Sequence, residues 1–170
     1  MRAAKSYILV FFITLLTGIG LHYLYDLIPS PLTAVLCVVR ESLWEHLKLL
    51  FWPYLISSLF LSRFRKTPLL PRLFSLLLLC AVLLGISFWY HILLGGESVA
   101  VDVGLYLLMM SSGFSLPFFL PDLPSQRYGF PLVFLTAALA FLLILFTFSP
   151  PDQLLFWDLS HAHTWHSLPC

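Results

Sequence analysis

Apolar residues run along this chain in long blocks separated by short polar punctuation. A bilayer core of about 30 Å needs about 20 apolar residues per helix. Blocks of that order occupy residues 7–24, 43–61, 73–94, 99–120 and 130–148. The first follows Arg2 and Lys5, as a signal peptide would. It is longer than a usual signal h-region and no A-x-A-like site follows it, so a retained helix is expected. Pro29 and Pro31 then break the chain. Residues 32–39 are apolar but too few to cross, and read as re-entrant, interfacial or the approach to the next helix. Pro53 is expected to kink the second block. Ser111, Ser112, Gly113, Ser115 and Pro117 dilute the second half of the fourth. Residues 149–170 form a polar tail. The pattern predicts an all-α integral membrane helical bundle: one domain over residues 1–170, with about five transmembrane helices.

Composition narrows the class further. Of 170 residues, 60% are hydrophobic and 10% charged, and the mean hydropathy is +0.95. An ordinary soluble domain is about 45–50% apolar and about 25% charged. Too few polar side chains exist to cover a soluble globule, and disorder needs the opposite balance. A net charge of +1 without a basic patch excludes a nucleic-acid partner. Membrane lipid is the expected surrounding. Cys37, Cys80 and Cys170 are far apart, with neither a disulfide framework nor a zinc-knuckle spacing.

Charge sets the expected orientation. Five spans put the termini on opposite sides. With the N-terminus inside and the C-terminus outside, Arg2, Lys5, Arg63, Arg65, Lys66, Arg72 and Arg127 fall inside, leaving only Arg40 and Lys48 outside. Among the acids only Asp122 falls inward. This distribution satisfies the positive-inside rule. Every histidine and every tryptophan then lies toward the outer side. An aromatic belt should appear at both faces, so the asymmetry points to a working site in the outer half.

The densest polar cluster, residues 40–48, reads Arg-Glu-Ser-Leu-Trp-Glu-His-Leu-Lys. On a helix at about 100° per residue, Glu41, Glu45 and Lys48 fall within about 60° of one another. Ser42 and His46 flank that stripe, and Leu43, Leu47 and Leu50 take the opposite face. A charged group at mid-bilayer costs about 2.5–3.5 kcal/mol on insertion scales, so the stripe must face a cavity or other helices. Pairing of Glu41 or Glu45 with Lys48 would lower that cost. Other helices bring further groups to the same level. His22 and Asp26 end the first span, His91 ends the third, and Asp102 begins the fourth with Tyr106 one turn deeper. In the tail, His161, His163 and His166 have the spacing of a flexible metal-binding peptide or of a merely solvated one.

Residues 21–54 resemble an uncharacterised family of bacterial multi-span membrane proteins, a domain of unknown function. Its pattern has a His near the end of the first helix, then an N/R-E-S-x-W-E-H-x-K block running into F-x-P. Here these are His22, Arg40 to Lys48, and Phe51-Trp52-Pro53. Pro150-Pro151 through Phe156 and Asp158 resembles the family's closing segment. The tail histidines depart from it. The resemblance implies a multi-pass protein of the bacterial plasma membrane and no particular activity. A much weaker similarity links Ser42-x-x-x-His46 to the Ser-x-x-x-His element of alkaline-ceramidase-like membrane zinc hydrolases. That group has seven spans and a late H-x-x-x-H pair, which this chain lacks.

Three functions follow. One is a metal-dependent membrane hydrolase. His46, His91 and His22 would ligate a divalent ion such as zinc, and Glu45 or Glu41 would act as general base. Ser42 and Asp102 would support the site, with Lys48, Asp26 and Tyr106 around it. Water on such an ion has a pKa near 7 and is a usable nucleophile. The second is a small transporter, channel subunit or proton relay, which at five spans and without an inverted repeat would require a homo-oligomer. The third is a non-catalytic scaffold or accessory protein. No nucleotide fingerprint, phosphate loop or G-x-S-x-G elbow occurs in the chain.

Overall fold

The computed structural model describes residues 2–121 and 123–159, with side chains from Lys5 onward. The described residues are all-helical. Six α-helices follow in order: α1 (Arg2–Leu27), α2 (Pro31–Leu36), α3 (Leu43–Arg65), α4 (Leu70–Ser87), α5 (Val99–Ser115) and α6 (Ser125–Phe148). A π-helical turn, Phe88–Leu93, extends α4, and a 3-10 turn, Leu116–Phe118, extends α5. A second 3-10 turn, Leu154–Phe156, lies in the segment after α6.

Four of these elements are long and apolar enough to cross a membrane: Lys5–Leu27, Leu70–Leu93, Val99–Phe118 and Ser125–Phe148. The fifth expected span, α3, has the length at 23 residues but carries Glu45, His46, Lys48, Arg63 and Arg65. Its position explains how those charges are tolerated. α3 packs against α1, α4, α5 and α6, and most of its residues from Leu43 to Leu61 are buried. The other helices present their apolar residues outward: Leu16, Phe130 and Phe134 are among many large side chains left exposed. An apolar outer surface around a polar central helix inverts a soluble fold, and suits an apolar solvent.

In lipid the hydrophobic drive between helices would be largely lost, and close packing and interhelical hydrogen bonds would have to hold such a bundle. Tyr7 donates to the Phe114 carbonyl at 2.7 Å, Tyr106 to the Leu15 carbonyl at 2.9 Å, and the Thr14 and Ser57 hydroxyls bond each other. Each such bond is worth roughly 0.6–2 kcal/mol in a membrane setting. α3 runs unbroken through Pro53. Pro53 has no N–H for the Leu49 carbonyl one turn earlier. That carbonyl faces Gly18, where an added Cβ would lie only 2.6 Å from the oxygen. A glycine on α1 thus lets the two helices approach closely at that carbonyl.

Residues 32–39 do not cross. Ser30 and Thr33 form a reciprocal capping box at the start of α2, with Pro31 in its first turn. Beyond the helix the chain folds onto α3. Lys48 Nζ donates to the Ala34 carbonyl at 2.8 Å and the Cys37 carbonyl at 3.1 Å. Trp52 Nε1 donates to the Val35 carbonyl at 3.0 Å. The short segment is therefore pinned by carbonyl oxygens that α2 itself does not satisfy. Arg40 then donates to the Thr147 carbonyl at 2.7 Å, at the C-terminal end of α6 where carbonyls lack partners.

Candidate functional site

The polar block divides at Ser42. Residues 40–41 are not helical, and α3 begins at Leu43 with Ser42 as its N-cap in extended conformation. The Ser42 hydroxyl accepts the Glu45 N–H at 3.3 Å. Glu41 therefore does not share a helical stripe with Glu45 and Lys48, as a helix over the whole block would require. The S-x-x-E spacing Ser42–Glu45 is a capping signature, and it is the sequence signal for this break.

The two halves serve different surroundings. Glu45 and Lys48 are 1% and 0% exposed. Their ion pair, 2.8 Å long, is completed by the Val39 N–H at 3.1 Å and the Thr147 hydroxyl at 3.1 Å, both on the Glu45 carboxylate. Every oxygen and the ammonium face a partner, and neither side chain lines the cavity described below. Its geometry is that of a fastener between the 31–39 segment, α3 and α6. Asp26 is exposed in the last turn of α1 and is not among the residues that line the cavity described below.

Glu41 instead meets two histidines. His46 Nε2 lies 3.3 Å from Glu41 Oε2, and His22 Nδ1 lies 4.0 Å from Glu41 Oε1. One ligand atom from each of His22, Glu41 and His46 falls within 4.8 Å of the others. His46 Nδ1–H donates to the Ser42 carbonyl at 2.8 Å. That bond fixes the ring and turns Nε2 toward a carboxylate oxygen. Two acceptors at such a distance need a cation between them, either a proton or a metal ion. His22 Nδ1 is buried with no hydrogen-bond partner of its own. The bond from the His46 ring holds the Glu41 carboxyl below the usual carboxylate range, against the opposing effects of burial and of the Asp158 charge.

Beside this trio lies a cavity of about 360 Å³. Its polar lining includes Glu41, Ser42, His46, His91, Asp102 and Tyr106, and its apolar walls include Leu43, Leu49, Leu83 and Leu105. Six of the residues singled out in the sequence thus share one space, although they come from three helices and a loop. His91 stands on the π-helical turn, a widened turn that often marks functional positions. Its Nδ1 donates to the Gly96 carbonyl and its Nε2 meets Asp102 Oδ1, each at 2.8 Å. Both ring nitrogens face acceptors, which a ring satisfies only with hydrogen on each. His91 is thus turned to Asp102 and is not in the His22–Glu41–His46 group. Tyr106 reaches across to α1 through its bond to Leu15.

A family model described as "Family of unknown function (DUF6512)" matches residues 1–163. The chain belongs to this family. No curated protein and no solved structure matches it. The family carries no activity with it, so chemistry has to be read from the site.

One residue near the site was not expected from the sequence. The segment after α6 folds back over the start of α3. Phe156 packs against Trp44 and Phe146 at centroid distances of 5.2 and 5.1 Å. The Leu159 N–H donates to the Glu41 carbonyl at 2.9 Å. Asp158 thereby comes close enough for its charge to act on Glu41. The sequence signal available for it was the Pro150-Pro151 to Asp158 segment itself. His161, His163 and His166 lie outside the described residues.

Proposed function

We propose that this protein is a membrane-embedded metalloenzyme, a hydrolase that holds a divalent ion between His22, Glu41 and His46 in the outer half of the bundle. The observation that carries the reading is the Glu41 carboxylate flanked by an orphaned His22 nitrogen and a His46 nitrogen whose other side is fixed by the Ser42 carbonyl. Two imidazoles and one carboxylate form a usual ligand set for catalytic zinc and for other first-row divalent ions, and they leave positions open for water. A bonded second nitrogen on a ligating histidine is the usual way in which its ring is oriented.

The ion would supply a water of lowered pKa and an electrophile for a polarised oxygen. This chain's own groups do the rest. Leu43, Leu49, Leu83 and Leu105 give the neighbouring cavity an apolar wall, and the His91–Asp102 pair gives it a charged one. That combination suits the head of an amphiphile with an ester or amide bond, its tail remaining in lipid. A volume of about 360 Å³ accommodates a head group and not a whole lipid.

Metal analysis of the detergent-purified full chain tests the reading. After loading and dialysis, stoichiometric Zn²⁺ or Mn²⁺ is expected in the wild type, and loss of it in His22→Ala and His46→Ala. A wild type that retains no ion under these conditions would sink the enzyme reading. Solute flux in vesicles carrying the wild-type protein would then favour a transporter, and its absence a scaffold.

A further inference from the structure

α3 changes character half-way along. From Leu43 to Leu55 every residue is buried or half-buried, but from Ile56 onward one face opens. Ile56, Leu59, Phe60, Arg63 and Phe64 are exposed, at the i, i+3, i+4, i+7, i+8 spacing of a single helical stripe. Ile56 is 60% and Phe64 66% exposed. The stripe is apolar until its last turn, where it meets a basic tip: Arg63, Arg65 and Lys66 are all exposed. It runs about 12 Å from Ile56 to Phe64, and Arg63 stands about 25 Å along α3 from His46, so the stripe is separate from the His22–Glu41–His46 trio.

The tip is held in place. The Phe60 and Phe64 rings pack at a centroid distance of 4.8 Å, and the Arg63 guanidinium lies over the Phe64 ring at 5.9 Å. The turn that follows is tied to α4 by Arg72 Nε, which donates to the Thr67 hydroxyl at 3.2 Å. Arg72 adds a fourth positive charge, and among the described residues none of the four has an ion-pair partner.

Resting on the membrane placement in the reading above, but not on its metal ion, we propose that this stripe is a binding site for an anionic glycerophospholipid. An acyl chain lies along Ile56, Phe60 and Phe64, and the head-group phosphate meets Arg63, Arg65 and Lys66. An apolar track ending on cations has the polarity of one lipid molecule. Guanidinium groups pair phosphate oxygens through two N–H bonds. Three exposed cations in four positions exceed the charge of one phosphate, so a head group of net negative charge is favoured over a zwitterionic one, whose own cation they repel. A second copy of this chain, packed in the same membrane orientation, would set its own basic tip against this one.

Native mass spectrometry of the detergent-purified full chain, titrated with phosphatidylglycerol or with phosphatidylcholine, tests the proposal. The wild type should retain one phosphatidylglycerol in preference to phosphatidylcholine. A basic residue beside an anionic lipid is worth about five-fold in affinity, so Arg63→Gln with Arg65→Gln should weaken phosphatidylglycerol retention about 25-fold. Lys66→Gln is titrated in parallel and should lose about five-fold, so that a folding failure of the double variant leaves a single substitution to decide. Phe64→Ser keeps the three charges and should weaken both lipids. Arg127→Gln, which removes an exposed cation in the first turn of α6 outside the stripe, should lose nothing. Equal retention of the two lipids by the wild type overturns the proposal. So do equal losses in Arg127→Gln and the stripe variants, or a dimer that Phe64→Ser dissociates. None of these measurements needs a bound ion, so the lipid site and the metal site stand or fall separately.

Discussion

Lys48 Nζ meets Glu45 Oε2 at 2.8 Å in a place where neither side chain touches solvent. The pair is not among the residues of the candidate metal site or its cavity and does different work. It joins α3 to the 31–39 segment through the Ala34 and Cys37 carbonyls and to α6 through Thr147. Removing one member of a buried pair strands the other, at about 3–5 kcal/mol. Lys48→Met should lower the thermal unfolding midpoint sharply, and Glu45→Gln with Lys48→Met should recover much of it. A Lys48→Met protein as stable as wild type would show that water reaches the pair.

Gly18 sets the distance between α1 and α3. A methyl there would run into the Tyr106 hydroxyl and the Leu49 carbonyl. Backbone on one side and a bonded tyrosine on the other leave little room to yield. Gly18→Ala is expected to destabilise the bundle by about 1–3 kcal/mol, the usual cost of overpacking. It should also weaken metal binding, because α1 carries His22. Gly20→Ala, which meets nothing within 4 Å, is the control and should leave both unchanged.

His91 and His46 line one cavity but have different partners. Both nitrogens of His91 are taken by Gly96 and Asp102. His91→Gln is therefore expected to retain stoichiometric metal, whereas His46→Gln should lose it. Equal loss in both, measured by elemental analysis, would return His91 to the ligand set.

Acid should loosen the Glu41 contact. Its folded carboxyl titrates below the ordinary carboxylate value because the His46 ring bonds it. The stabilisation is complete above that ordinary value and disappears as the pH falls through the lower folded one. Glu41 is about half exposed, so screening keeps the effect small. Unfolding midpoints of the metal-free protein should decline on acidification across that window, and Glu41→Gln should decline less. Parallel curves for the two proteins would place the acid sensitivity elsewhere.

The helical, lipid-suited architecture was legible because helix length and apolar composition are one-dimensional properties. A run such as residues 130–148 must bond its backbone internally wherever it lies in an apolar solvent. The level at which His22, His46, His91 and Asp102 gather was legible for the same reason, since position along a span sets depth. Orientation about the helix axis was not. A wheel drawn through residues 40–48 grouped Glu41 with Glu45 and Lys48, whereas the Ser42 cap breaks the phase and sends them to different neighbours. Depth follows from counting residues along one chain, but whether a carboxylate meets a lysine, a histidine or the returning Asp158 depends on which helices pack beside it. Only the tertiary structure decided that, because helix packing is governed by shape and hydrogen bonding between segments far apart in sequence.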